Sequence, residues 1–198
     1  MTDALENANQ LIRSRRTLKQ DNMDAERPVD PAILDAMLEN ANQAPTHGLT
    51  EPWRFRVFVS KESRQELAGA LQRIYRETTP AGQQRPEKEA KLGNAPLLAP
   101  VVITIGMHRQ DSGVIPEIEE VAAVACAVQN MHLTAAAIGL GAKWSSPPVC
   151  YTPEIAEFVG LRGGKDLCLG LFYLGWPKEG VSFPLSPRRP VSEKVEIL

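Results

Sequence analysis

Ala44-Pro45-Thr46-His47-Gly48-Leu49-Thr50-Glu51-Pro52-Trp53 decides how this chain is read. Two prolines and a glycine break any helix that tries to cross it, so the stretch must join two elements. Upstream, Asp30-Pro31 pairs a cap residue with a proline at the first helical position, and Ile33, Leu34, Met37, Leu38 and Ala41 follow at helical spacing. Downstream, Trp53, Phe55, Val57 and Val59 alternate with Arg54 and Arg56, the pattern of a half-buried strand. The quoted residues are therefore a helix-to-strand connection that carries a histidine at its centre.

Working outward, Asp3 is expected to cap a first helix, with Glu6 completing a capping box and Leu5, Ala8, Leu11 and Ile12 forming its apolar face. That helix ends near residues 13–16, where arginines suit the helix dipole. Residues 17–29 are polar, contain Pro28 and read as loop. Beyond the strand, Leu67, Leu71, Ile74 and Tyr75 predict a third helix, while residues 76–96, broken by Pro80, Pro86 and Pro96, predict a long loop of the functional or mobile kind. Residues 99–107, rich in Val and Ile, predict a buried strand.

Pro116 opens the longest helix, to about residue 138, with Ile118, Val121, Ala122, Ala125, Val128, Met131, His132 and Ala135 apolar on more than one side. Such a helix belongs in a core or a subunit interface. Gly139-Leu140-Gly141 ends it as a glycine C-cap. A short strand over 142–146, a helix capped by Thr152-Pro153 and running to about Val159, and an apolar strand over 167–174 follow, before a proline-rich, extended segment 177–198. Few strands among long helices, without strict β-α alternation, predict an α+β fold, with residues 1–198 as a single domain.

The composition is that of an ordinary folded protein, with 43% apolar and 23% charged residues in 198. A net charge of −2 gives no global argument for nucleic acid or an anionic membrane. No apolar run approaches the roughly 18 residues of a membrane span. The first residues lack the basic and apolar order of a signal peptide, so a cytoplasmic protein is expected. Cys126, Cys150 and Cys168 are too widely spaced for a C-x-x-C pair or zinc site and are expected to be reduced and mostly buried. No metal site, Ser-His-Asp set, H-E-x-x-H or G-x-G-x-x-G after a strand is found.

Three segments carry a family resemblance: Ser14-Arg15-Arg16-Thr17-Leu18-Lys19, the quoted Ala44-Pro45-Thr46-His47 to Pro52-Trp53 stretch, and Pro187-Arg188-Arg189-Pro190. In this order they resemble the S-R-R-S-x-R/K, A-P-x-H/S to P-W and C-terminal R-x-P patterns of the nitroreductase family of flavin enzymes. The resemblance implies a mixed or antiparallel sheet flanked by helices, a homodimer with an exchanged C-terminal arm, and FMN at the subunit interface. It implies electron transfer from NAD(P)H to a nitroaromatic, quinone or similar small acceptor by a ping-pong mechanism. The flavin carries the chemistry, so no catalytic side chain is expected. A flavin-binding protein for storage or sensing is the alternative, and a non-flavin anion-binding protein a third reading.

By the same resemblance, Arg15 and Arg188 would hold the FMN phosphate, Thr17 the phosphate or ribityl chain, and Lys19 the flavin pyrimidine, with Arg16 at a more variable position. Guanidinium groups suit a phosphate dianion because they donate in pairs; the plain reading of the same residues is a solvated basic helix end. Pro45, Thr46 and His47 would reach the flavin from the second subunit. Leu49 stands where larger members carry Asn, which places the chain in the minimal branch. Glu51 replaces the usual Gln and would turn away from the flavin or be neutral. Trp144, Ser145 and Ser146 would line the isoalloxazine with backbone or hydroxyl donors, on an edge stiffened by Pro147-Pro148.

Overall fold

The computed structural model describes residues 2–198; Met1, the first residue of the predicted domain span, lies outside the described residues. Six helices are present: α1 (Asp3–Ser14), α2 (Pro31–Asn42), α3 (Lys61–Thr78), α4 (Pro86–Asn94), α5 (Glu117–Ala137) and α6 (Pro153–Phe158). Four strands, β1 (Trp53–Phe58), β2 (Val101–Met107), β3 (Gly141–Ser145) and β4 (Leu167–Gly175), form one sheet in the order β1-β2-β4-β3. Every pairing between these four strands is antiparallel, so the α+β class holds with an antiparallel sheet.

The two central strands, β2 and β4, are buried on both faces, which is why their sequences are nearly continuous apolar runs. Each face has its own core. On one side α2 and α5 pack Met37, Val124, Met131 and Ala135 against Ile103, Ile105, Phe172 and Leu174. On the other, α3 and α6 pack Leu67, Leu71, Ile74 and Ile155 against Val102, Leu171 and Tyr173.

Local signals placed most boundaries. Asp30 accepts from the Ala32 amide at 2.9 Å with Pro31 at the first turn, as expected. Thr152 caps α6 in the same way, accepting from the Ile155 amide. Gly139 at φ +78° ends α5, and the Leu140 amide reaches back to the Ala135 carbonyl.

Several expectations are corrected. Asp3 lies inside α1 rather than capping it; Thr2 holds the cap position and makes no side-chain bond. No residue of α1 is buried, so its apolar face, with Leu5 and Ile12, is open to solvent. Val59 falls outside β1 and is exposed, because Ser60 already caps α3 by accepting from the Ser63 amide; Phe58 is buried on the opposite face instead. Residues 76–96 contain α4, in which Pro86 starts a helix rather than breaking one. Cys150 and Cys168 are buried, whereas Cys126 is exposed on α5.

The segment after α1 is the feature that positions the site. Thr17 bridges Ala142 in parallel, and the Leu18 amide donates to the Ala142 carbonyl at 3.1 Å. Leu18, only 1% exposed, packs against Gly141, where an added Cβ would lie 3.0 Å from the Leu18 Cβ and closer still to its δ-methyl. Gly141→Ala should therefore overpack this crossing and cost about 1–3 kcal/mol. Urea unfolding of the variant is expected to show a lower midpoint; an unchanged midpoint would mean that the segment shifts freely along β3.

Candidate functional site

The bridged segment gathers positive charge along the free edge of β3. Arg15 is held below the ordinary arginine range by burial first, then by the nearby charges of Arg16 and Arg188. The N-terminal and C-terminal arginine motifs thus meet in space. Among the described residues, none of the three has a carboxylate within 4.0 Å. Arg16 donates to the carbonyls of Arg13 and Arg15, so its guanidinium is partly committed to its own segment. Arg188 bonds Ser186 and the Pro187 carbonyl within the tail.

A cavity of about 610 Å³ is lined by Gln20, Lys91, Lys143, Ser145, Ser146 and Tyr173, among others, and by none of the three arginines. Lys143 donates to Gln20 Oε1 at 2.9 Å. Burial, then the Lys91 charge, holds Lys143 below the usual lysine range; Asp21 opposes this and Lys19 adds to it. Three lysines therefore share one neighbourhood, and none of them has a carboxylate within 4.0 Å among the described residues. Burial pushes Tyr173, on the cavity wall, above the usual phenol range.

The strand end at 144–146 is tied to β4 by its own side chains. Trp144 Nε1 and Ser146 Oγ both donate to the Leu169 carbonyl, at 3.0 and 2.8 Å. Their side-chain donors are used to close the strand, and Ser145 is left as the hydroxyl facing the cavity without a bond of its own. Gln20, Lys91 and Lys143 were not among the expected residues. A lysine in the middle of the short strand 141–145 is the one signal that could have marked Lys143, and it was passed over; Lys91 was hidden in the segment read as loop.

Pro45, Thr46, His47 and Glu51 stand apart from this cavity in the single chain. They form a strained connection with a 3-10 turn at His47–Leu49, in which Gly48, Leu49 and Glu51 take φ values of 60°, 54° and 43°. Thr46 Oγ1 lies 2.9 Å from Thr50 Oγ1 and accepts from the Glu51 amide. His47 Nδ1 contacts Glu119 Oε2 on α5 at 2.5 Å, and Nε2 has no hydrogen-bond partner among the described residues. Glu51 is exposed.

Against the inner side of the basic cluster lies His132 of α5. It is 8% exposed, its Nδ1 has no hydrogen-bond partner, and its ring meets Phe172 edge-on at 4.8 Å. It lines a small cavity of about 120 Å³ with Ser14, Arg16, Ala142 and Phe183. Burial, then the Arg15 charge, pushes its pKa down to about 4.

The family model described as "Nitroreductase family" matches residues 12–176, and the chain belongs to that family. An Escherichia coli K12 protein named "Putative NAD(P)H nitroreductase YdjA" is 31% identical over 158 residues, covering 78% of this chain and 83% of its own. The crystal structure of a nitroreductase-like family protein from Bacillus cereus superposes with a TM-score of 0.76 at 27% identity, covering 96% of this chain and 95% of that one. The FMN-dependent nitroreductase NfnB from Mycobacterium smegmatis, solved in complex with NADPH, shares the fold with a TM-score of 0.73 at 18% identity, covering 99% of this chain and all 100% of its own.

His132 yields a pH prediction. An unfolded histidine titrates near 6.5 and the folded one near 4, so below pH 6.5 the unfolded chain takes up a proton that the folded chain refuses. This contribution lowers stability as pH falls through that window and levels off below the folded pKa. Between pH 7.5 and 5 it should amount to about 2 kcal/mol. Urea unfolding of wild type and His132→Leu at both pH values is expected to show a smaller acid loss in the variant; equal losses would place the histidine in a wetter site.

Proposed function

We propose that this protein is an FMN-dependent oxidoreductase that takes electrons from NADH or NADPH and delivers them to a small acceptor, a nitroaromatic or quinone, in alternating half-reactions. The observation that carries this reading is the positive charge around the β3 edge, unpaired with any carboxylate within 4.0 Å among the described residues, with the arginines of both chain ends at one side and a lysine-lined cavity at the other. That layout suits a ligand with a phosphate at one end and a polar ring at the other. The M. smegmatis relative is FMN-dependent and binds NADPH, and the E. coli relative carries an NAD(P)H nitroreductase name.

Bound there, FMN would supply the redox chemistry, and the protein would supply position and charge. Arg15 and Arg188, with the Thr17 hydroxyl, would hold the phosphate; Arg16 contributes charge. Lys19, Lys91 and Lys143 would favour negative charge at the ring end of the cavity, as fixed cations near developing charge do. Ser145 offers a hydroxyl, and Tyr75, Leu92 and the Pro147-Pro148 edge supply the less polar part of the cavity wall.

Arg15→Ala and Arg188→Ala should each weaken FMN binding by about 1.5–3 kcal/mol, the loss of one charge-assisted contact. Fluorescence titration of the flavin measures this; unchanged affinity in both variants would remove the phosphate assignment. Protein that binds FMN but never oxidises NADH or NADPH with any acceptor would favour storage or sensing.

We further propose a homodimer in which His47, with Pro45 and Thr46, completes the partner's site. Support comes from apolar side chains left open in the single chain: Leu49 is 83% exposed, Ile118 73%, Ile12 58% and Leu185 95%. The distance of the His47 loop from its own lysine cavity agrees with this arrangement. Mixing Arg15→Ala with His47→Ala subunits should restore about half of wild-type activity per heterodimer, because one of its two sites then lacks both lesions. Heterodimers that form and remain inactive would place both residues in the same subunit's site.

A further inference from the structure

A second cavity, of about 540 Å³, lies between the β1-β2 end of the sheet and the loop after α6, and it shares no lining residue with the lysine cavity. Arg54, Arg56 and Arg162 line it. None of the three has a carboxylate within 4.0 Å among the described residues. Asp166, the cavity's carboxylate, is otherwise committed. Its Oδ1 accepts from His108 Nδ1 and the Arg109 amide, both at 3.0 Å, and its Oδ2 accepts from the Gly163 amide at 2.9 Å. The Asp166 side chain is only 3% exposed.

Two of the arginines are fixed in place. Arg54 donates one nitrogen to the carbonyls of Glu51 and Trp53, at 2.9 and 2.8 Å. Arg56 donates to the Phe158 carbonyl at 2.7 Å and stands 5.9 Å from the rings of both Phe58 and Phe158. Each guanidinium keeps further N–H groups free, and its orientation is set before any ligand arrives, which lowers the entropy of binding. Three guanidinium groups against one carboxylate leave the cavity two positive charges in excess.

We propose that this cavity is a second anion site, separate from the cofactor cluster, that takes a small dianion: a dicarboxylate or a phosphate. Charge balance sets the ligand class, and the paired donors of guanidinium suit either group. The Arg54 bond to the Glu51 carbonyl ties this site to the loop that carries His47.

Calorimetric titration of FMN-loaded protein with succinate and with inorganic phosphate, at pH 8 and constant ionic strength, tests the site. Saturable binding is expected, weakened about tenfold or more in Arg56→Ala and in Arg162→Ala. Arg162 is exposed and makes no hydrogen bond, so its variant keeps the test open if loss of Arg56 disturbs the phenylalanine stack. No saturable binding at millimolar ligand, or equal binding in wild type and both variants, would overturn the proposal. A chain truncated after Pro190 is the third arm. Binding that appears only on truncation would mean that Glu193 or Glu196 of a tail occupies the arginines, and the free-ligand site would be wrong. Repeating the titration without FMN in an Arg15→Ala background makes the outcome independent of the cofactor reading.

Discussion

Leu18 can lie against β3 because residue 141 has no side chain. That contact joins parts of the chain more than a hundred residues apart, and the site is arranged around it. The Thr17–Ala142 bridge and the Leu18 amide bond satisfy part of an edge strand that would otherwise be open to chance pairing. Arg15 and Lys19 flank the buried Leu18 on either side, so burying one apolar side chain fixes where two cations stand. Farther along, the Asp24 amide bonds the Trp176 carbonyl and the Lys178 amide bonds the Asn22 carbonyl, so the segment follows the sheet to the end of β4. The tail that carries Arg188 leaves from that same end.

Such an arrangement opposes folding electrostatically. Arg15, Arg16 and Arg188 repel one another, and so do Lys19, Lys91 and Lys143; burial first, and that repulsion second, holds Arg15 and Lys143 below their usual ranges. The offset comes from the two cores, which bury Phe172, Met131, Leu71 and Ile74 almost completely. An anion bound to the folded chain alone would both relieve the repulsion and stabilise the fold by mass action. The charges of the candidate site would in that way make the fold responsive to a bound anion.

What could be read in advance was what local chemistry decides. The cap and proline at 30–31, the glycine stop at 139, the alternation of β1 and the apolar runs of β2 and β4 each depend on a few neighbouring residues. Pro86 was misread because a proline that breaks one helix can begin another, and only the residues that pack against it tell the two apart. Within the site, the arginines and Lys19 were legible as motifs. Gln20, Lys91 and Lys143 were not, since they come from three separate elements and meet only because α4 closes over one end of α3 and β3 runs beside the bridged segment. Ser146 shows what a motif leaves out: its hydroxyl donates to the Leu169 carbonyl, a partner twenty-three residues away that no local pattern names.

The His47 loop shows how a strained segment keeps its shape alone. Leu49 and Glu51 hold left-handed backbone without being glycine, at about 1–2 kcal/mol each. The restraints lie on both sides of the strain. Trp53 Nε1 donates to Asn42 Oδ1 at 3.0 Å, pinning the start of β1 to the end of α2. The two threonine hydroxyls close the loop across its neck, and His47 is anchored to α5 through Glu119. What the strain achieves is exposure: it lifts Leu49 out of the fold, where nothing in its own chain covers it. A surface that met this loop would find it already shaped, and little ordering entropy would oppose the contact. If His47 completes a partner's site, as proposed, a rigid and slightly unfavourable loop would serve it better than a relaxed and mobile one.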